Sequence, residues 1–139
     1  MTIADISNAE GGASVRGKLN AVIAKANASS PVSQALTPVS YSATVTLDLA
    51  SGATQMFGPL TLTGDATLAN PSNPEVGAVV VLRIQQDGTG ERTLSYGSHW
   101  RFAGGAPDLS EAANVVDVLT GVVLASDFIA ASLQKDFKA

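Results

Sequence analysis

Apolar residues near the N-terminus recur at helical spacing after a pair of glycines. Five of them fall on one stripe of a helix: Val15, Leu19, Val22, Ile23 and Ala26. A helix of about fourteen residues is marginal in water by itself. We therefore expect this stripe to be covered by the rest of the chain or by another chain, and we interpret residues 1–27 as an N-terminal helical docking segment.

The pattern changes twice after this segment. Residues 28–38 contain two prolines and several serines without an apolar period, which is typical of a linker. From Val39 onward apolar and polar residues alternate, and Thr44–Leu49 places its valine and two leucines on one face of a strand. The sequence therefore predicts a β domain over residues 39–139.

Three stretches of this domain carry stronger signals. Gly77–Gln86 is apolar on both faces at its start, which predicts a central strand buried from two sides. Asp87–Gly90 predicts a hairpin turn, because glycine tolerates the positive φ angles of such turns, with Glu91–Tyr96 as the return strand. Ala112–Leu124 predicts a long strand that is bent or bulged at Gly121.

The last segment, residues 127–137, fits two structures. Ile129, Leu133 and Phe137 share one helix face, yet neighbouring residues also alternate as in a strand. A tight turn just before the segment favours a hairpin, so we expect a strand. Six or seven short strands then predict a mainly β fold, an antiparallel β-sandwich or small barrel, preceded by the short N-terminal α-helix. We see no internal repeat in the sequence.

Composition narrows the classes of function. The chain has 139 residues, no cysteine and a net charge of −4, which fits one domain with its own core. Charged residues make up 14% and hydrophobic residues 45%, so we expect a folded chain whose surface is partly covered by neighbouring subunits. No basic stripe for nucleic acid is present. The longest apolar run, Val79–Leu82, is far too short for membrane insertion.

Candidate chemistry is sparse. His99 is the single histidine, and without cysteine the chain lacks the ligands that a zinc site requires. A nucleophile and base formed by Ser98 and His99 would also need an acid held near the imidazole. No run of acidic residues has the spacing of a calcium loop. We therefore expect a protein that is not an enzyme, with no catalytic residue, no cofactor and no metal.

One candidate ligand or partner site remains, in and beside the loop over residues 97–107. Its residues are Tyr96, His99, Trp100, Arg101 and Phe102. Two interpretations stay open: the indole of Trp100 closes one end of the core, which we favour, or it stacks on a sugar ring. The second interpretation would make the domain a carbohydrate-binding module.

Two groups of residues carry a resemblance to a known family. The first consists of Leu60–Leu68 with Asn70-Pro71, then Asp87–Thr93, Trp100, Gly104-Gly105, Pro107–Ser110, Ala113-Asn114 and Val116–Leu119. Their order, over about residues 41–137, resembles a β module that recurs in tailed-phage tail-fibre and other virion structural proteins. The second group, Gly12–Asn20, is similar to a short helix of phage and prophage tail proteins.

The resemblance implies a non-enzymatic virion component built as a symmetric oligomer, with a trimer as the first expectation and a pentamer or hexamer as alternatives. It implies a fibre, fibre-base or adaptor component of the tail or head, assembled in the bacterial host cytoplasm and docked through its N-terminal segment. The expected partners are copies of the chain itself and other virion structural proteins. The alternative function is attachment to a host surface glycan through the Trp100 loop.

Overall fold

Eight β-strands and no helix make up the part of the chain, residues 35–50 and 52–138, that the computed structural model describes. The strands are β1 (Thr44–Val45), β2 (Thr54–Leu62), β3 (Ala66–Leu68), β4 (Val79–Gln86), β5 (Leu94–Tyr96), β6 (Trp100–Phe102), β7 (Val116–Ala125) and β8 (Phe128–Phe137). The expectation of a mainly β fold is therefore confirmed.

Parallel pairing predominates in the two sheets. All strands of the smaller sheet, in the order β1-β3-β5, run parallel. In the larger sheet, in the order β2-β4-β7-β8-β6, β2 is parallel to β4 and β6 to β8, whereas β7 runs antiparallel to both of its neighbours. Parallel partners such as Thr44 and Thr67, or Phe57 and Leu82, are separated by roughly 20 to 30 residues of chain. In a solenoid each such length of chain makes one turn that lies beside the turn before it, and we call each turn a coil. The arrangement is solenoid-like.

The predicted antiparallel sandwich or barrel is therefore wrong. The alternation in Thr44–Leu49 identified the buried face correctly, since Val45, Leu47 and Leu49 are all buried. A period of two is, however, the same in parallel and antiparallel strands, so it does not reveal which strand lies alongside. The partner is decided by how a whole coil closes, which is a long-range property of the chain.

The hairpin predicted after β4 is also wrong. β5 does not return along β4 but pairs with β3 in the other sheet. The chain leaves the turn through two residues with positive φ, Gly90 at 77° and Glu91 at 59°. At Gly90 a side chain would also collide with the backbone carbonyl of Glu111. Glycine is therefore required here because the backbone has a positive φ and lies close to a neighbouring segment of chain, and it does not form a hairpin turn.

Residues 127–137 form strand β8 almost throughout, as the preceding turn indicated. The bend predicted at Gly121 is wrong, because Gly121 pairs in register on both sides and the register shifts of β7 lie toward its ends. A Cβ at Gly121 would lie 2.8 Å from Cγ2 of Ile129. Close packing of β8 against β7 explains the glycine.

One hydrophobic core receives side chains from both sheets. Strand β4 lies between β2 and β7, which confirms the predicted central position. The predicted burial from two sides is not found among the described residues, because Val79 and Val81 are half-buried and Arg83 is exposed. The largest fully buried side chains are Leu47, Leu49, Leu60, Leu62, Leu68, Leu82, Ile84, Leu119, Ile129, Val80 and Val123. Most of them alternate with outward residues, as strands with one face on a core require.

The predicted N-terminal helix and its stripe, Val15, Leu19, Val22, Ile23 and Ala26, lie outside the described residues. The division of the chain at residues 27 and 38 stays a prediction. Thr37 already pairs with the larger sheet, because its N–H donates to the carbonyl of Met56 at 2.8 Å and its own carbonyl accepts from Gly58 at 2.9 Å.

Candidate functional site

Trp100 begins strand β6 and lies in the core. Its side chain is 4% exposed, and its indole Nε1 donates a hydrogen bond of 2.9 Å to the carbonyl of Ala69. Because β6 pairs with β8, this part of the predicted loop is a strand. The indole closes the core, as the favoured interpretation expects, and it has no exposed face on which a sugar ring could stack.

The remaining members of the predicted site lie on different sides of β6. Phe102 packs against Tyr96, with ring centroids 4.6 Å apart and ring planes tilted by 58°. Burial, followed by two nearby carboxylates, raises the pKa of Tyr96 to about 12. Arg101 is exposed, and its guanidinium carbon lies 5.0 Å from the centroid of the Phe128 ring. Trp100 is therefore buried and Phe102 and Tyr96 are half-buried against each other, whereas Arg101 is exposed.

Ser98 and His99 are both held by Asn70. The Oδ1 atom of Asn70 accepts the backbone N–H of His99 at 2.8 Å, and its Nδ2 donates to the hydroxyl of Ser98 at 3.4 Å. The Nδ1 atom of His99 is buried and has no hydrogen-bond partner among the described residues. The arrangement connects two coils of the fold, and it does not align the serine hydroxyl with the imidazole as a hydrolase requires.

Asp87 organises the turn after β4. Its Oδ1 accepts the backbone N–H groups of Thr89 at 3.1 Å and Gly90 at 2.9 Å, and its Oδ2 accepts from Nη2 of Arg92 at 2.9 Å. The hydrogen bond from the Arg92 side chain, followed by the bonds from the turn, lowers the pKa of Asp87 below its usual range. The acidic and basic residues of this motif therefore build a turn.

Two buried polar side chains hold the loops that follow. Gln86 is 2% exposed, and its Nε2 donates to the carbonyls of Arg92 at 2.8 Å and Ser110 at 2.9 Å, while its Oε1 accepts the N–H of Arg92 at 2.9 Å. Asp117 is 3% exposed and accepts the backbone N–H groups of Ser110 at 2.7 Å and Asp136 at 2.8 Å. We did not identify these roles from the sequence. The available signal was a polar residue at an inward position of an apolar strand.

Two further aspartates connect successive coils. The Oδ1 atom of Asp65 accepts the backbone N–H of Thr93 at 2.9 Å, and that of Asp48 accepts from Nδ2 of Asn73 at 2.9 Å. These hydrogen bonds are the main reason that the pKa of each carboxyl lies below its usual range. We name the side chains of Asp48, Asp65, Asn70, Gln86, Asp87 and Asp117 the coil clamps.

Cavities add little chemistry to this part of the molecule. A surface cavity of about 420 Å³ lies between Thr37 and Asp48, and among the described residues that line it Asp48 is the one ionisable residue. Across residues 35–50 and 52–138, no three His, Asp or Glu side chains come together in a way that could hold a metal ion. The same described ranges contain no helix of the length and apolar character needed to span a membrane.

Comparison with known protein families identifies the domain. Residues 39–125, more than half of the chain, match the family described as "Putative phage tail fibre C-terminal domain". The chain belongs to this family. No curated protein and no solved structure shows a significant match to it. The tail-fibre domain is thus a structural component of a phage virion, and the match covers β1 to β7.

The five-stranded sheet of the tail-fibre domain carries apolar residues on its outward side as well as on its inward side, and the outward ones lie among polar residues such as Arg83, Thr120 and Ser132. Outward apolar residues lie on three adjacent strands, and we name them the outer face: Val79, Val81, Val116, Val118, Val122, Leu124, Phe128, Ala130 and Phe137. Residues that pair directly across a sheet share a face, and the pairs include Val79 with Val122 and Val122 with Ala130.

Proposed function

We propose that the tail-fibre domain performs no chemistry and acts by assembly, as part of a symmetric oligomer in which a trimer is the first expectation. Copies of the chain associate through the domain, and the N-terminal segment of residues 1–27 docks the oligomer to other virion structural proteins. The role is that of a fibre, fibre-base or adaptor component. Membership of the tail-fibre family is the observation that carries this proposal.

The use of polar side chains supports assembly over catalysis. Each coil clamp spends its hydrogen-bonding capacity on backbone or side-chain groups of a neighbouring coil or turn. A catalytic acid or base needs a free position within reach of a substrate. The clamps instead fix the loops of the solenoid-like fold, which suits a structural component.

A carbohydrate-binding role for the Trp100 loop finds no comparable support. Sugar recognition by stacking needs an exposed aromatic face, whereas the indole of Trp100 is buried and its Nε1 is bonded to Ala69. We therefore do not extend the proposal to a host surface glycan at this loop.

Purified particles test the structural role. Gold-labelled antibody against the chain is expected to decorate the tail of intact virions, and particles made without the chain are expected to lack the labelled feature. Label on the head would place the component elsewhere in the virion. A chain that is absent from purified particles would contradict the proposal.

A double variant, Ser98→Ala with His99→Ala, tests the proposed absence of chemistry. The backbone N–H of His99 that Asn70 binds is kept in this variant, so we expect particles that assemble and infect normally. Normal assembly with lost infectivity would show that these side chains do more than fill space, and would contradict a purely structural role.

Docking through the N-terminal segment is tested on the predicted apolar stripe. The substitution Leu19→Asp, on the stripe, is expected to release the chain from particles. The matched control Asn20→Asp lies off the stripe and is expected to leave incorporation unchanged. Equal incorporation of both variants would contradict docking through this stripe.

A further inference from the structure

The exposed apolar residues of the described chain are concentrated on one surface. Its large exposed hydrophobic side chains number six, and four of them belong to the outer face: Val122 at 39% exposure, Leu124 at 57%, Phe128 at 36% and Phe137 at 54%. Half-exposed valines of β4 and β7 lie between them. Contiguous apolar surface of this kind marks an interaction site in soluble proteins.

The sheet itself indicates that the outer face is covered in the working protein. A sheet with one face in water alternates apolar and polar residues, whereas a sheet covered on both sides is apolar on both. Strand β4 carries Val79 and Val81 outward and Val80 and Leu82 inward, and β7 follows the same rule with Val122 and Val123. Within the described part of the chain, other residues pack only against the inward side of this sheet.

The residues that pair with the outer face set its electrostatic character. Arg83 and Arg101 are the only charged residues among its register partners. The guanidinium of Arg101 lies over the Phe128 ring, so its aliphatic stem can pack while its charge stays at the rim. No carboxylate lies among these partners, so an identical face can pack here provided that Arg83, which is exposed and has its Nη2 3.5 Å from Oε1 of Gln85, keeps its charge in solvent.

The size of the outer face fits contact between two protein molecules. Ten residues of β7 span about 33 Å at about 3.3 Å per residue, and the three strands of the outer face, β4, β7 and β8, span about 14 Å at about 4.8 Å per strand. The product is about 480 Å² per copy, and two copies together give about 950 Å², which is close to the about 1,000 Å² expected of a specific interface and belongs to the weaker size class.

From these observations we infer that the outer face is the surface through which copies of this chain associate, with the outward sides of the five-stranded sheets of neighbouring copies packed on one another around the axis of the oligomer. Sheets in such packings lie about 10 Å apart with interdigitated side chains, so the outward valines, leucine and phenylalanines form a second core between subunits. The inference rests on the proposed function, because it names the interface of the oligomer proposed there.

Two substitutions in the full-length chain test the inference by association. Leu124→Glu places a charge on the outer face, and Thr44→Glu places the same charge at an exposed position of the smaller sheet. Sedimentation velocity over a concentration series measures each oligomer. We expect Leu124→Glu to weaken self-association at least roughly 30-fold, as for a buried interface residue, and Thr44→Glu to leave it unchanged. Unchanged Trp100 fluorescence emission verifies that each variant is folded.

Thiol labelling identifies what covers the face. Because the chain has no cysteine, Leu124→Cys and Thr44→Cys each provide a single reactive thiol. We expect the thiol at 124 to react with a maleimide at least roughly 10-fold more slowly than the thiol at 44 when the protein is oligomeric, and to lose that protection on dilution to monomer.

Three results would overturn the inference, and they separate it from the proposed function. An oligomer in which the thiol at 124 reacts as fast as the control, and which Leu124→Glu leaves intact, places the interface elsewhere and leaves assembly standing. Protection that persists in a monomer means that the chain covers its own outer face. A monomer at all concentrations with a freely reactive thiol contradicts both the inference and the proposed oligomer.

Discussion

Replacing Gln86 with methionine tests whether the coil clamps hold the fold together. Gln86 ends β4 with its side chain directed into the molecule, where it bonds three backbone groups in two loops. Methionine has a similar length and is unbranched, so the change removes hydrogen bonds with little change in packing volume. We expect Gln86→Met to destabilise the domain.

The magnitude follows from the groups left behind. The N–H and carbonyl of Arg92 and the carbonyl of Ser110 lose their partner, and a buried polar group left unsatisfied costs about 1 to 3 kcal/mol. Because water reaches these half-buried loops in part, we take the lower value for each group, which gives about 3 kcal/mol in total. With a urea dependence of about 1 to 3 kcal/mol per molar, the midpoint of unfolding falls by about 1 to 3 M.

Urea unfolding at one fixed protein concentration measures this change. The matched control is Gln85→Met, at the neighbouring outward position, where the side chain makes only a 3.5 Å contact with Arg83. We expect the control to stay within about 0.5 kcal/mol of the unmodified protein. If Gln86→Met also stays within that range, the hydrogen bonds of Gln86 do not stabilise the coils and the reasoning fails.

Three further predictions concern the aromatic residues and the core. Burial raises the pKa of Tyr96 to about 12, against about 10 in the unfolded chain. The contribution of Tyr96 to the free energy of unfolding is therefore fully present below about pH 10 and is lost between about pH 10 and pH 12. A Tyr96→Phe variant whose stability falls in the same way would contradict the assignment. The fluorescence of Trp100 is expected to resist quenching by iodide until the chain unfolds, and strong quenching of the native protein would place the indole in solvent. Gly121→Ala is expected to cost about 1 to 3 kcal/mol in thermal unfolding, because its Cβ would meet Ile129, and an unchanged midpoint would show that β8 can move aside.

Local features of the fold could be predicted from the sequence, since they depend on near neighbours along the chain. Alternation in residues 44–49 gave the correct buried face, and the turn before residue 128 gave the correct strand at the C-terminus. Pairing could not be predicted in the same way. The alignment of Thr44 with Thr67, or of Phe57 with Leu82, is decided by the closure of whole coils whose sequences share no visible repeat.

The candidate site could likewise be predicted only in part, because contacts between distant parts of the chain decide the rest. Burial of Trp100 is the favoured interpretation, and its indole lies in the core. The roles of Asn70 and Gln86 were not predicted, because amide side chains are common in turns and at strand ends. Their partners, His99 for Asn70 and Ser110 for Gln86, are brought close only by the coiled arrangement. Such contacts leave no periodic signature in the sequence.

A cryo-electron-microscopy reconstruction of the tail on intact particles tests the central claim most directly. The account predicts several copies of this domain around a common axis, with the β4, β7 and β8 strands of each copy turned toward another copy and the clamped loops toward solvent. A single copy at each position, with the outer face open to solvent and the residues around His99 seated on a ligand, would contradict it.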